Sequence, residues 1–370
     1  PMPGSSIFKK ALELMIFGEG LSLISFVYPA IALPTLLFIA VAVFFISIHK
    51  LEWGIYILLG ELFFGSRGRL FENGFLSLRL VIFVAVFLAW FIRGIMNYEL
   101  KIRGLKSMIH NSRFMILYFL LLLIISFGII NGYFRGNDLG SVFQDVNGYL
   151  YLAILPAVIV AVRSRETIDN LFQILGAAIV IIAAKTLILF LWFTYGFAGV
   201  ATLYHWVINQ DIGEITGVVG SASRIFMQSQ FYALMGLFIF GFPLLSLRGG
   251  EATKQSQRTE IASLSPATTL VVVAAALFSI IFSLSRSFWL GGVAGALFAA
   301  IILLFYFRVG WKRFAKFAVI IILIAAAEIG VFYVVSRTAG RSEAVGSRLQ
   351  NPIQEAAGGA RLFLLTELLT

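Results

Sequence analysis

Long apolar stretches alternate with short polar segments along almost the whole chain. Most of the stretches approach the length of about 20 residues that an α-helix needs to cross the hydrocarbon core of a bilayer. The pattern therefore predicts an all-α fold, a polytopic bundle of transmembrane helices with about 10–11 spans. The apolar stretches are Leu21–Ile48, Trp53–Phe64, Phe75–Ile92, Phe114–Ile130, Tyr149–Val162, Leu171–Tyr195, Ile225–Leu247, Thr268–Ile281, Phe288–Phe307 and Phe314–Val335.

The same pattern divides the chain into an N-terminal interfacial segment, a transmembrane helical domain and the start of a large extracytoplasmic loop. These parts are residues 1–20, 21–335 and 336–370. Apolar and charged positions alternate over residues 7–19, which is typical of a short helix lying on the membrane. Pro29 and Pro34 interrupt the first apolar stretch, so it forms either one kinked helix or two short ones.

The C-terminal segment is polar up to Asn351, and Pro352 then begins a helical pattern. Apolar residues recur there at a spacing of three or four, from Ile353 to Leu368. Glu355 suits the first turn of a helix, and no glycine or proline marks its end. We therefore expect the sequence to be a fragment of a longer protein, interrupted inside an amphipathic helix.

Lysines and arginines concentrate in alternate loops, which the positive-inside rule assigns to the cytoplasm. The basic segments are Arg93–Arg113, the loop that begins at Arg163, residues 248–258 and residues 308–316. The remaining segments are then predicted to lie outside: Gly65–Gly74, Gly132–Gly148, Gly196–Ser221, the turn at Ser285–Arg286 and Ser336–Thr370.

Composition supports the membrane prediction and narrows the chemistry. Of 370 residues, 60% are hydrophobic and only 12% are charged, against about 25% charged in a soluble domain. The net charge of +10 is attributed to membrane orientation and not to nucleic-acid binding. The chain has no cysteine, so disulfides and thiolate-ligated metals are excluded. The N-terminus shows no pattern of a cleaved signal peptide.

Three histidines offer little catalytic signal. His49 and His110 lie beside basic residues, while His205 precedes Asp211 and Glu214 in a segment predicted to lie outside. A histidine and two carboxylates are able to bind a metal, but this spacing matches no ligand pattern, and an interfacial aromatic loop is the better interpretation. No phosphate-binding loop of the ATPase type is present. We therefore predict neither a metal nor another cofactor.

The most informative stretch lies between two apolar runs, at residues 282–292. It predicts a tight turn at the membrane edge, where hydroxyl groups surround Arg286; these belong to Ser283, Ser285 and Ser287. A guanidinium group with its fixed fork of donors suits a phosphate or a carboxylate. Contact with lipid headgroups is the simpler alternative.

A second arginine stands in a similar setting. Arg224 is predicted to lie where an outer loop becomes a helix, with Ser221 or Ser223 capping that helix. Helical spacing then places Gln228 and Tyr232 on the face of Arg224. Arg224 and Arg286 would together hold a diphosphate, or would be two independent cations at the membrane surface. Arg67, in an outer loop, is open to the same two interpretations.

Lys185 and Glu328 fall inside apolar stretches, where an ionisable side chain is costly and usually faces the interior of the bundle. We expect the two to pair. Such a pair is either structural or part of a proton path.

The chain resembles the bacterial family of O-antigen ligases and O-antigen polymerases, which are integral membrane glycosyltransferases. The resemblance rests on Ser285-Arg286-Ser287 followed by Trp289-Leu-Gly291, on Ser223-Arg-Ile-Phe226 and on Glu61-Leu-Phe-Phe-Gly-Ser-Arg-Gly68. It covers most of the chain, although the motifs are short. The family's turn reads Ser-Arg-Gly, and its ligases use a histidine in the large outer loop, whereas no histidine follows His205 here.

The resemblance implies transfer of a glycan from an undecaprenyl-diphosphate carrier to a lipid or glycan acceptor. The reaction would take place on the outer face of the bacterial cytoplasmic membrane, without a metal. Arg224 and Arg286 would be the catalytic residues that engage the diphosphate, with Gln228, Tyr232, Ser285, Ser287 and Arg67 binding substrate. No residue is assigned as the base that deprotonates the acceptor.

A transporter or a flippase for a lipid-linked glycan is the competing class. Lys185, Glu328 and the helix breaks at Pro29 and Pro34 would suit a binding site at the bilayer midplane. The arginine-bearing motifs instead gather at the predicted outer face, which favours the glycosyltransferase.

Overall fold

In the computed structural model, the residues that are described are 5–73, 76–96, 112–217, 223–246, 264–301 and 311–338. Helices account for most of them, and the only strands in these ranges form two short antiparallel hairpins. The predominantly helical fold predicted from the apolar pattern is confirmed. The chain divides into two units, Pro1–Ile174 and Leu175–Thr370.

The first unit is built around the helices α2, α3 and α4, which pack against one another. Val86 and Ala89 of α4 are fully buried, as is Ile55 of α3. The elements of this unit are α1 (Ser5–Val27), α2 (Ala32–His49), α3 (Leu51–Phe64), β1 (Glu72–Asn73), β2 (Leu76–Ser77), α4 (Leu78–Met96), α5 (Ser112–Phe134), α6 (Leu139–Leu150) and α7 (Leu155–Ala161).

The first apolar stretch resolves into two helices. A single turn of 3-10 helix, Pro29–Ile31, separates α1 from α2, because Pro29 has no N–H to continue the helical ladder. Pro34 falls in the first turn of α2, where a missing N–H costs nothing. The helix predicted for residues 7–19 continues to Val27.

The second unit carries the longest helix, α8 (Arg165–Tyr195), whose first residues belong to the first unit. Helices α10 and α11 pack closely, and the rings of Phe190, Phe282 and Phe332 meet at centroid distances of 4.9–5.5 Å. The remaining elements are α9 (Val200–Asn209), β3 (Gly213–Gly217), β4 (Ser223–Met227), α10 (Gln230–Ser246), α11 (Pro266–Phe282), α12 (Arg286–Ile301) and α13 (Trp311–Thr338).

Five of the described helices are long and apolar enough to cross a membrane, and by length and composition they indicate a membrane protein. They cover Pro29–His49, Leu78–Ile95, Ile116–Phe134, Arg165–Tyr195 and Ala318–Arg337. Four shorter apolar helices cover Tyr151–Ala161, Gln230–Gly241, Pro266–Phe282 and Arg286–Ile301. The count of about 10–11 spans therefore stays a prediction.

Two of the predicted spans take a different form. Trp53–Phe64 lies within α3, which has 14 residues and is shorter than the roughly 20 that a crossing requires. Tyr149–Val162 is divided between the end of α6, a 3-10 turn at Tyr151–Ile154 and the short helix α7. The C-terminal segment beyond Thr338 lies outside the described residues, as do most of the basic loop Arg93–Arg113, all of residues 248–258 and residues 308–310.

Candidate functional site

The predicted environment of Arg224 is wrong in its local structure. Residues 223–227 form the strand β4, which pairs antiparallel with β3 and sets Arg224 opposite Thr216. The helix begins only at Gln230, so Ser223, which lies in β4, does not cap it at the predicted place. Ser221 lies outside the described residues. Ile225 and Phe226 favour a strand, and a partner strand at Gly213–Gly217 outweighs the helical reading.

The turn between α11 and α12 is confirmed as a tight connection, and residues 283–287 are called the serine turn below. Ser283 Oγ donates to Ile280 O at 2.6 Å and accepts from Ser285 N–H at 3.2 Å. Leu284, between them, has a φ of +47°, a conformation that costs a non-glycine residue free energy and is found mostly at over-determined sites. The turn is thus held in one strained conformation.

Serine hydroxyl groups continue from the turn into α12. Ser285 O accepts the hydrogen bond of Trp289 N–H at 3.0 Å, so Ser285 is the residue that precedes the helix. The Ser285 and Ser287 hydroxyl oxygens lie 3.3 Å apart. The Trp289 indole N–H donates to Ile280 O at 3.2 Å and ties the new helix to the end of the previous one.

Arg224 reaches this turn directly. Its Nε–H donates to Ser283 O at 3.1 Å, across 59 residues of sequence. Within the described part of the chain, this is the hydrogen bond that the side chain of Arg224 makes, and no carboxylate pairs with it. Among the described residues, the two terminal nitrogens of its guanidinium group, which are donors, have no partner.

Aromatic side chains support the same contact. The Arg224 guanidinium carbon lies 5.5 Å from the ring centroid of Phe226, within cation–π range. The rings of Phe226 and Phe288 are 5.4 Å apart. Since side chains alternate along a strand, Arg224 and Phe226 share one face of β4, and that face packs on the serine turn and the first residues of α12.

Arg286 begins α12 and is exposed. No ion pair involves it among the residues that the structure describes. The free N–H groups at a helix N-terminus favour anions. The fold therefore brings the guanidinium of Arg224 to the turn from which Arg286 begins α12. That the two arginines share one diphosphate stays a prediction.

The other predicted binding residues are distributed differently. Ser285 is buried and Ser287 is exposed, both within the serine turn. Gln228 is exposed between β4 and α10, whereas Tyr232 is half-buried on α10. Because β4 is a strand, the helical spacing that grouped these two with Arg224 does not apply.

Gln230, which the sequence analysis did not select, contacts β4 directly. Its side chain is fully buried and bonds to Met227, Ile225 and Thr186. A glutamine beginning an apolar helix was the available signal, but helical spacing from Arg224 directed attention to Gln228.

Arg67 belongs to the first unit, where it is exposed on the loop that follows α3. A buried ion pair holds this loop: Arg79 Nε–H donates to Glu61 Oε2 at 2.7 Å and Nη2–H donates to Ser66 O at 2.8 Å. Gly68 has a φ of +81°, and a side chain there would meet Arg79 at 2.6 Å. The motif at residues 61–68 thus encodes a rigid loop.

Lys185 and Glu328 do not pair as predicted. Lys185 is buried and makes contacts of its own, whereas Glu328 Oε2 is buried and, in the ranges described, has no hydrogen-bond partner. The described residues therefore do not show the Lys185–Glu328 ion pair that would have favoured a transporter with a binding site at the bilayer midplane.

His205 is exposed on α9, with its ring 5.8 Å from that of Tyr204. Across the described ranges, no three residues of the metal-ligating types come together. The segment predicted as an aromatic loop is instead the helix α9, in which Trp206 and Val207 are buried. Its position at a membrane interface stays a prediction.

Comparison of the chain with protein-family models, with curated proteins and with solved structures gives no significant match.

Proposed function

We propose that this chain is a membrane glycosyltransferase similar to the O-antigen ligases and polymerases. It would transfer or polymerise a glycan from an undecaprenyl-diphosphate carrier on the outer face of the bacterial cytoplasmic membrane. The observation that carries the proposal is the hydrogen bond from Arg224 Nε–H to Ser283 O at 3.1 Å. It brings Arg224, whose two terminal nitrogens have no partner among the described residues, to the serine turn, from which Arg286 begins a helix.

The chemistry of the arginines matches the leaving group. When an acceptor hydroxyl oxygen attacks the anomeric carbon, a C–O bond forms and the bond to the carrier diphosphate breaks. The departing diphosphate gains negative charge, and the hydroxyl proton passes to a base. Guanidinium groups fixed beforehand stabilise that charge more in the transition state than in the ground state.

The preorganisation of Arg224 is visible in its contacts. Its Nε is engaged by the Ser283 carbonyl and its guanidinium lies near the Phe226 ring, so fewer side-chain conformations must be given up on binding. A lysine cannot reproduce this arrangement, because it lacks the planar fork and carries only a point charge.

The test is binding of undecaprenyl diphosphate to the protein in lipid nanodiscs, together with glycan transfer. We expect Arg224→Ala and Arg286→Ala each to weaken binding roughly tenfold or more, the loss typical of one charge-assisted hydrogen bond. Arg224→Lys and Arg286→Lys should recover little of it. Arg337→Ala is the matched control, since Arg337 is an exposed arginine that stacks on Tyr333 at the end of α13.

Wild-type transfer by the double variant R224A/R286A would refute the carrier-binding role. Loss of transfer with unchanged carrier binding would limit the arginines to the transition state. Equal losses in R337A would show that the lipid responds only to surface charge.

A further inference from the structure

The side chain of Gln230 occupies an unusual position for an amide in an apolar helix. It is fully buried at the first residue of α10. Its Oε1 accepts from Met227 N–H at 3.1 Å, and its Nε2 donates to Ile225 O at 3.3 Å and to Thr186 Oγ1 at 3.2 Å. One side chain thus connects β4 with α8.

The partners determine which way the amide points. A backbone N–H only donates and a backbone carbonyl only accepts, so Met227 must face the oxygen of Gln230 and Ile225 must face its nitrogen. Thr186 is consistent with this orientation, because its hydroxyl donates its hydrogen to Ile182 O at 2.7 Å and its Oγ1 can still accept a hydrogen bond from Gln230 Nε2. All three contacts are satisfied by one orientation of the amide.

The contact resembles an added strand. The C=O of one residue and the N–H of the second residue after it point to the same edge of a β-strand. Gln230 pairs with both groups on β4, as the backbone of a third strand would. Ile225 and Met227 are fully buried, so loss of the amide would leave two buried backbone groups without partners, which is costly.

The orientation of Arg224 follows from this pairing. Ile225 and Met227 point into the unit, and the alternation of a strand turns Arg224 and Phe226 to the opposite face. That face meets the serine turn, where Arg224 bonds to Ser283. A slip of β4 by one residue would exchange the two faces and remove the arginine from the turn.

We propose that Gln230 is a positioning residue: its buried amide holds β4 in the register that presents Arg224 to the serine turn. Gln230 thereby sets the affinity of the site for a lipid diphosphate, and this second half rests on the function proposed above.

The first measurement concerns only the position of β4. The chain has no native cysteine, so spin labels are placed at Ser223→Cys, at the start of β4, and at Leu290→Cys, which is 73% exposed on α12. We expect a narrow distance distribution with Gln230 and a clearly broader or shifted one in Gln230→Met, a variant of similar shape without the amide.

The second measurement is a double-mutant cycle on the affinity for undecaprenyl diphosphate in nanodiscs. Q230M should weaken binding about tenfold when Arg224 is present. It should have less than about a twofold effect in the R224A background, because both changes remove the same interaction. Gln173→Met is the matched control, since Gln173 is a buried glutamine of the first unit that accepts from Phe8 N–H; it should change neither readout.

Thr186→Val offers a second route if Q230M does not fold. It removes one of the three hydrogen bonds and should weaken binding about threefold, again only when Arg224 is present. Unchanged label distances in the variants would overturn the positioning role, as would additive losses in the cycle. If the label distances change in Q230M or T186V while R224A binds the carrier normally, the positioning role is supported and the carrier-binding function is refuted. If the distances stay unchanged while R224A binds weakly, the carrier-binding function is supported and the positioning role is refuted.

Discussion

Glu61 and Arg79 form an ion pair inside the first unit. If one of the two were removed, the other would be a buried charge without a counter-ion. Side-chain exposure is 3% for Glu61 and 13% for Arg79, and the closest nitrogen–oxygen distance is 2.7 Å. A pair of this kind contributes modestly as a pair, but removal of one partner leaves an uncompensated charge. Its value here is that Arg79 also holds the Ser66 carbonyl and thus the loop after α3.

We therefore expect Arg79→Met to lower the free energy of unfolding by about 3–5 kcal/mol. The double variant E61L/R79M should regain most of that loss, because no charge is then left in the interior. Denaturant unfolding in detergent micelles measures both. Arg69→Met is the control, since the Arg69–Glu72 pair is longer, at 3.8 Å, and more exposed, and such pairs contribute about 0–1 kcal/mol. A double variant as unstable as R79M would contradict the explanation.

Glu328 presents the opposite case, a polar group on an apolar helix whose Oε2 has no partner within the described structure. An unsatisfied buried oxygen costs about 1–3 kcal/mol. Glu328→Leu should therefore raise the unfolding midpoint of the protein in micelles. A fall in stability would show that the carboxyl group has a partner in the membrane-embedded protein, and Glu328→Gln would then separate hydrogen bonding from charge.

Among the elements, the β3–β4 hairpin decides where the candidate site lies. Its register pairs Gly213 with Met227 and Thr216 with Arg224. A side chain at Gly213 would meet Phe226 O at 2.5 Å and Met227 Cγ at 2.9 Å, so only glycine permits the two strands to approach this closely. Gly213 on β3 therefore helps to keep β4 in the register that orients Arg224, and Gln230 holds β4 through separate contacts.

Gly213→Ala should displace β3, lower the unfolding midpoint by several degrees and weaken undecaprenyl-diphosphate binding through Arg224. Gly330→Ala is the control, because a side chain at Gly330 on α13 meets nothing within 4 Å, and alanine favours a helix by about 1 kcal/mol over glycine. Differential scanning fluorimetry and the binding assay test the pair. Normal binding in G213A would show that the hairpin tolerates the shift.

At the scale of the whole molecule, the membrane orientation remains a prediction from the basic loops. Helix α8 has 31 residues, or roughly 46 Å at 1.5 Å per residue, enough for one crossing. The basic segment at Arg163 precedes it and the acidic segment at Asp211 follows it. The positive-inside rule then places the N-terminal end in the cytoplasm and β3 outside.

Cysteine labelling of intact cells tests this orientation. Glu166→Cys and Glu214→Cys lie at exposed positions on either side of α8, and no native cysteine competes for the reagent. A membrane-impermeant maleimide should label position 214 in intact cells and position 166 only after permeabilisation. The opposite pattern would invert the topology and place the arginine site on the cytoplasmic face.

The sequence by itself determined that the chain is helical and apolar enough for a membrane, because burial in lipid requires long apolar runs that are visible residue by residue. It also located the tight turn before Arg286, where serines interrupt two such runs. It could not distinguish one kinked helix from two helices at Pro29, since a proline, which lacks an N–H, is compatible with either a kink or a helix end.

Tertiary structure decided the rest. Residues 223–227 are compatible with a helix or a strand, and pairing with Gly213–Gly217 chose the strand. That choice removed the helical-spacing argument that grouped Gln228 with Arg224, and it brought Gln230 into contact with β4. Contacts such as Arg224 with Ser283 join residues far apart in sequence, and local spacing carries no information about them. The expected pair of Lys185 and Glu328 failed for the same reason: a burial cost indicates that each side chain needs a suitable environment, and only packing determines which residues provide it.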